Sequence, residues 1–155
     1  MSLSDSSIDQ KILESAKAEF LEKGFKNASL REICKGAGVT TGALYKRFSG
    51  KEALFDAVVK PTLQDIRDLG DTVIKYNYEY LDGNKMQKVW DMSEETHKKW
   101  IEFFYDRYDG MRLLLCGSEG SRHSSFSHDF VLENTKHTYA FIQEAKRRGI
   151  SVNEI

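Results

Sequence analysis

The hydrophobic pattern of this chain is helical almost from its start. Ile8, Ile12, Leu13, Ala16, Phe20 and Leu21 share one face of a helix. Ser7-Ile8-Asp9-Gln10 reads as a capping box that opens this helix. Lys23-Gly24 reads as its end, because glycine enters a left-handed cap without a Cβ penalty. A second box, Ser29-Leu30-Arg31-Glu32, opens a short helix through Ile33 to about Lys35. Gly36-Ala37-Gly38 can make a tight turn, and Thr40 can cap a third helix running to about Phe48. Ser49-Gly50-Lys51-Glu52 is a third box, and the helix behind it has Ala53, Leu54, Ala57 and Val58 as apolar positions.

The chain has one proline, Pro61, and the pattern beyond it stays helical. Leu63, Ile66, Leu69, Val73 and Ile74 predict a helix to about Tyr80 that the proline kinks or starts. Asp82-Gly83-Asn84 reads as a turn. Met86 to Tyr105 predicts one or two helices burying Val89, Trp90, Trp100, Phe103 and Phe104. Asp109-Gly110 reads as a break, Met111 to Cys116 as a short apolar run, and Gly117 to Ser127 as a loop. Asp129 to Arg148 predicts a last helix, packed through Phe130, Val131, Thr138, Phe141, Ile142 and Ala145 and ended by Gly149. There is no alternation of period two and no internal repeat, so the predicted fold class is all-α.

With 155 residues, the chain can build one ordinary core or a small head and a larger body. No stretch approaches the roughly 20 apolar residues that span a bilayer, and the polar start does not read as a signal peptide. Cys34 and Cys116 lie far apart among apolar neighbours, which points to free thiols, Cys116 buried and inert, in a reducing cytoplasm. From Leu21 to Lys60 eight basic residues face four acidic ones, whereas from Pro61 onward 13 face 16, so the cationic bias is confined to one short segment. That bias fits nucleic acid, and a solvated face would show it too.

Leu30 to Lys51, LREICKGAGVTTGALYKRFSGK, fits a helix-turn-helix. Leu30, Ile33 and Cys34 face inward on its first helix, Ala37-Gly38-Val39 makes the turn, and Leu44 and Phe48 form the inner face of its second helix. The outer face is then Thr40, Thr41, Gly42, Ala43, Tyr45, Lys46 and Arg47, without an acidic residue. Hydroxyls and cations suit phosphates, and small polar side chains let a helix approach base edges. Lys51, near the next helix start, adds a cation where free N–H groups also favour phosphate.

The segment from Ile8 to Val59 resembles the DNA-binding domain of the tetracycline-repressor (TetR) family of bacterial regulators. Ala16, Phe20, Gly24, Phe25, Ser29, Ile33, Ala37, Gly38, Val39, Gly42, Leu44, Tyr45, Phe48, Lys51, Glu52 and Leu54 carry the resemblance, about a third of the chain. It implies a three-helix DNA-binding domain over residues 1–50 and a helical ligand-binding and dimerising domain over 51–155. Ser29, Thr40, Thr41, Gly42, Ala43, Tyr45, Lys46, Arg47 and Lys51 would face DNA, with Tyr45 and Lys51 on phosphates and Thr41, Gly42 and Lys46 nearest the bases. The implied partners are a palindromic duplex operator, a small-molecule effector and a second copy of the chain, with no cofactor, no metal and no membrane. The implied place is the bacterial cytoplasm, at the nucleoid. Family members generally continue beyond the helix ending near Gly149 with two more helices that bundle with the partner subunit. On that resemblance the chain reads as truncated after Ile155, which leaves its dimer contacts open.

Bland readings stand beside these. Phe20, Phe25, Leu44, Phe48 and Phe55 read as core, and Lys11 and Lys17 as solvated helix charges. Thirteen of the 18 aromatic residues follow Pro61. Trp90, Trp100, Phe103, Phe104, Tyr105 and Tyr108 could line a ligand pocket or belong to an ordinary core. His97, His123, His128 and His137 have no convincing metal-ligand spacing. Gly117 to Ser121 is not a nucleophile elbow, and no nucleophile–base pair marks an enzyme. The alternative to a regulator is a helical module whose degenerate helix-turn-helix binds a protein partner, which the acid-free outer face disfavours.

Overall fold

The computed structural model describes residues 5–83, 85–89 and 93–151. Its helices are α1 (Asp5–Asn27), α2 (Leu30–Ala37), α3 (Thr41–Tyr45), α4 (Lys51–Asp82), α5 (Glu94–Asp106), α6 (Tyr108–Cys116) and α7 (Phe126–Arg147), with a short 3-10 turn at Met86–Lys88. Among the described residues there is no strand, so the all-α expectation holds. The chain gathers into two compact units, Met1–Leu63 with Arg107–Phe126 and Gln64–Asp106 with Ser127–Ile155.

In the first unit, α1 buries Ile12, Ala16 and Phe20. It runs from Asp5, ahead of the predicted Ser7 cap. Its α-conformation breaks at Gly24, where φ is 72°, the left-handed stop expected there. Past that break Phe25 enters the core and its N–H donates to Gly117 O at 2.8 Å. Phe20, Phe25 and Phe55 form a cluster, with Phe55 edge-on to the other two rings at 5.0 and 5.3 Å. α2 buries Ile33, Cys34 and Ala37 and ends on left-handed Gly38 (φ 66°), which turns the chain into α3. α3 buries Leu44. It stops sooner than predicted, because Lys46 and Arg47 continue as a turn closed by the Arg47 and Phe48 N–H groups on Leu44 O.

Three other expectations change. Asp109-Gly110 is not a break, since α6 runs through it. Gly110 is buried against Thr62 of α4, and a Cβ there would overlap the Thr62 hydroxyl. The glycine serves a close helix–helix approach rather than a turn. Cys116, expected to be buried, is exposed at the end of α6. The last helix starts at Phe126, ahead of Asp129. α4 continues through exposed Pro61, which cannot donate the helical bond to Ala57 O.

In the second unit, Leu81, Phe141 and Ala145 form the buried cluster, with Tyr78, Met86, Val89 and Ile150 packed on it. Arg148 joins Asp82 at the end of α4 to Glu144 on α7. Hydrogen bonds from Arg147 and Arg148 hold the Glu144 carboxyl down to a pKa of about 2. Left-handed Gly149 (φ 73°) ends the helix as predicted.

Replacing Gly110 with alanine should lower stability by about 1–3 kcal/mol, the usual range for overpacking. Urea denaturation would show it. Adding Thr62→Ala to Gly110→Ala should restore part of the loss, and no recovery would mean that this contact is not the cause.

Candidate functional site

The predicted DNA-facing surface is built on five residues. Thr40 caps α3, the Ala43 N–H donating to its Oγ1 at 3.1 Å. With Leu44 fully buried, helical geometry sends Thr41, Gly42, Tyr45 and Lys46 outward. Tyr45 keeps 54% of its surface in solvent, a large aromatic side chain without a core role. Ala43 is half-buried, and no acidic residue lies between Thr40 and Lys51. The phenol of Tyr45 and the ammonium of Lys46 therefore meet solvent without a carboxylate on their own segment.

The other predicted cations are placed differently. Arg47 is four-fifths buried and pairs with Asp9 of α1, Nε to Oδ1 at 2.8 Å, tying the end of α3 to α1. Lys51, at the start of α4, donates to Lys26 O and Ala28 O, both at 3.1 Å, and lies 4.9 Å from the Phe25 ring centre. It closes carbonyls left open where α1 ends. Two of its three N–H donors are engaged there, which leaves one.

Ser29 is the N-cap residue of α2, but its side chain makes no capping bond. Its own N–H donates to Glu19 Oε1 at 3.0 Å, and Lys23 donates to the same carboxylate. Glu19 thus makes the reach-back contact expected of Glu32, which lies instead 3.9 Å from Lys35. Glu19 is buried, and burial pushes its carboxyl up. The Ser29 N–H and the Lys23 ammonium together outweigh that and hold it below the usual carboxylate range.

Sequence reading also missed the loop after α6. Lys26 meets Glu119 at 2.7 Å. Glu52 accepts the Arg122 N–H at 2.9 Å, while Asp56 pairs with His123 Nε2 at 2.7 Å and with Arg122 at 3.0 Å. With the Phe25–Gly117 bond, this loop clasps the end of α1 and the first turns of α4. Lys17, expected to be a solvated charge, meets Asp109 at 2.6 Å. Each pair spans at least 66 residues of sequence, so no local pattern announces it.

The second unit contains a cavity of about 360 Å3. Trp100, Phe103 and Phe104 line it; Tyr105 and Tyr108, 77% and 58% exposed, are not among its lining residues. Trp90 lies outside the described residues. His137 reaches the cavity beside Glu133. Among the described residues no group of three His, Cys, Asp or Glu side chains could hold a metal ion, and no helix is long and apolar enough to cross a membrane.

A buried Leu44 beneath an exposed outer face, behind a glycine turn on a short scaffold helix, defines a helix-turn-helix protein. The family model for "Bacterial regulatory proteins, tetR family" matches residues 12–58. Two relatives are similar over about a third of this chain. The HTH-type transcriptional regulator UidR of Escherichia coli K12 is 44% identical over 55 residues, 36% of this chain and 26% of that protein. The HTH-type transcriptional repressor KstR2 of Mycobacterium tuberculosis H37Rv is 39% identical over 49 residues, 32% of this chain and 24% of that protein. The matches thus span about a quarter of the length of these curated relatives. A transcriptional regulator (TerR/AcrR family) from Aquifex aeolicus VF5 has a similar fold, with a TM-score of 0.52 at 22% identity, over 88% of this chain and 72% of that one. Over residues 12–58, the chain is similar to the tetR family of bacterial regulatory proteins.

The Glu19 contact predicts a pH effect. Its folded pKa is lowered, so the stabilisation is present above the unfolded value and is lost as pH falls through the folded one. Glu19→Gln should cost about 1–3 kcal/mol at neutral pH. In urea titrations the gap between variant and parent should narrow as acid protonates the parent's carboxylate. A gap that stays constant down to strongly acidic pH would contradict the role given to Glu19.

Proposed function

We propose that this protein is a DNA-binding transcription repressor that acts as a two-fold dimer and leaves its operator when a small molecule occupies the second-unit cavity. The observation that carries this reading is the outer face of α3, where Thr41, Gly42, Tyr45 and Lys46 are exposed and no carboxylate interrupts them. In this reading α3 lies in the major groove. Thr41, Gly42 and Lys46 sit nearest the bases, and the Tyr45 hydroxyl and the remaining Lys51 donor meet phosphates. Thr40 and Arg47 hold the helix in place through the Ala43 and Asp9 contacts, with Ala43 on the helix itself and Ser29 ahead of α2.

Two recognition helices on one face of B-DNA must stand about 34 Å apart, or a multiple of that, to reach successive grooves. A palindromic operator then follows from a two-fold dimer. Apolar side chains left open in the second unit, Ile101, Val131 and Tyr139, each at least 64% exposed, support self-association there. The relative KstR2 is named a repressor, which supports that direction of control. α4 carries Lys51, Glu52 and Asp56 at its start and cavity-lining residues from Ile66 to Tyr78 further on. A ligand in the cavity and the contacts of the DNA-binding head therefore act on one continuous helix. Release requires that the ligand favour the non-binding state.

The test is the salt dependence of binding to a fluorescent duplex that the protein itself selects from random sequence. Lys46→Ala should weaken binding about three- to tenfold and flatten the slope of log affinity against log salt by about one, with no change in melting temperature. Lys51→Ala should lower both affinity and melting temperature, because it also uncaps α1. Unchanged affinity and slope in Lys46→Ala would overturn the placement of α3 in DNA.

A further inference from the structure

The cavity of the second unit has three chemically different walls. α4 supplies an aliphatic wall with Ile66, Leu69, Val73 and Ile74, and Gly70 adds no side chain to it. α5 supplies an aromatic wall, in which Trp100 and Phe104 stack at 6.0 Å and Phe103 stands edge-on to Phe104 at 5.4 Å. α7 supplies polar groups, with Asn134 and Thr138 one turn apart, between the rings of Phe130 and Phe141. A flat ring system matches the space between the first two walls, and a hydrogen-bonding group on one of its edges would face the third.

The lining carries one guanidinium, Arg67, against two carboxylates, Asp71 and Glu133, with the His137 imidazole beside Glu133. Glu133 and His137 are one turn apart on α7, with Nε2 and Oε1 at 3.9 Å. Arg67 and Asp71, of opposite sign, are one turn apart on α4. The lining therefore offers an anion no excess of positive charge, and an ion of either sign would lose hydration on entering between apolar walls. The neutral groups differ from these. The Asn134 amide N–H donates to Phe130 O at 2.8 Å, which leaves its carbonyl oxygen as an acceptor. Thr135 uses its hydroxyl on its own helix, donating to Val131 O, whereas no such bond ties the hydroxyl of Thr138.

We propose that the cavity takes an uncharged, planar aromatic molecule of about two or three fused rings, carrying a polar group on one edge that hydrogen-bonds to Asn134 and Thr138. This rests on the effector-sensing reading and narrows it to a ligand class. Its consequence is discrimination by charge at constant shape: a neutral probe enters, and its ionised counterparts do not.

Three probes on one skeleton test it by calorimetry on the DNA-free protein: 2-acetylnaphthalene, 2-naphthoate and 2-naphthylmethylammonium. The neutral ketone should bind at least about tenfold more tightly than either ion. Thr138→Trp, at an exposed position of α7, should fill the cavity and abolish ketone binding with the melting temperature unchanged. Thr138→Val, which replaces the hydroxyl with a methyl group, should weaken the ketone several-fold. Equal or tighter binding of either ion, no ketone binding up to about 1 mM, or ketone binding that survives Thr138→Trp would each overturn the proposal. The titration contains no DNA, so failure of the operator reading leaves its outcome intact. A ketone that binds without releasing the operator would count against the effector reading alone.

Discussion

A helix of five residues cannot hold itself, because nucleation is unfavourable and so short a run gains few hydrogen bonds in return. α3 is such a helix, and the surface that it offers depends on the burial of Leu44. Burying one leucine is worth about 1.5–3 kcal/mol. It also fixes the direction of the helix, since residues to either side of Leu44 must then point outward. The Thr40 cap and the Arg47–Asp9 pair refine that placement at the two ends. Conversely, a polar residue at position 44 would lose the outer face together with the inner one.

The same economy governs the ends of the neighbouring short helices. Their terminal N–H and C=O groups have few partners within so few turns, and side chains from other helices complete them. Glu19 of α1 receives the N–H that precedes α2, and Lys51 of α4 closes carbonyls at the end of α1. These contacts tie three helices into one unit without enlarging the apolar core. Because the partners are charged, each bond is stronger than a neutral one, and removing one member would strand a polar group in a partly buried place. Lys51 therefore has a structural duty that its position beside the predicted DNA surface does not suggest.

Local order in the sequence made the first unit legible where the determining residues are neighbours. Leu44 and Phe48 are one turn apart, Gly24 and Gly38 stand where left-handed caps are needed, and Thr40 precedes its helix. The capping box at Ser29 pointed to the right helix start for the wrong reason, since the acceptor comes from Glu19 and not from Glu32. Gly110 was misread because a glycine required by a close helix crossing looks, in one dimension, the same as a glycine required by a turn. The clasp of Glu119, Arg122 and His123 on Lys26, Glu52 and Asp56 was invisible, because exposed charges carry no sign of their distant partners. In the second unit, aromatic enrichment suggested a pocket; of the rings named for it Trp100, Phe103 and Phe104 line the cavity, whereas Tyr105 and Tyr108 do not.

That difference follows from how the two units specify their surfaces. The outer face of α3 is defined by exclusion: once Leu44 is inside, its neighbours are outside, and a single helix suffices to tell. A cavity needs three helices at once, and its walls are whatever each helix leaves toward the others. α7 shows the consequence. Phe141 and Ala145 bury in the core cluster, Asn134 and Thr138 on the same side line the cavity, and Val131 and Tyr139 remain open to solvent. Spacing alone assigned Phe130, Val131, Thr138, Phe141, Ile142 and Ala145 to one packing surface, yet Val131 is 64% exposed. A helix of this amphipathic width can present its apolar residues to more than one neighbour. Which neighbour each residue meets is decided by tertiary packing, and only the packing separates the polar groups of the cavity from the apolar edge beside it.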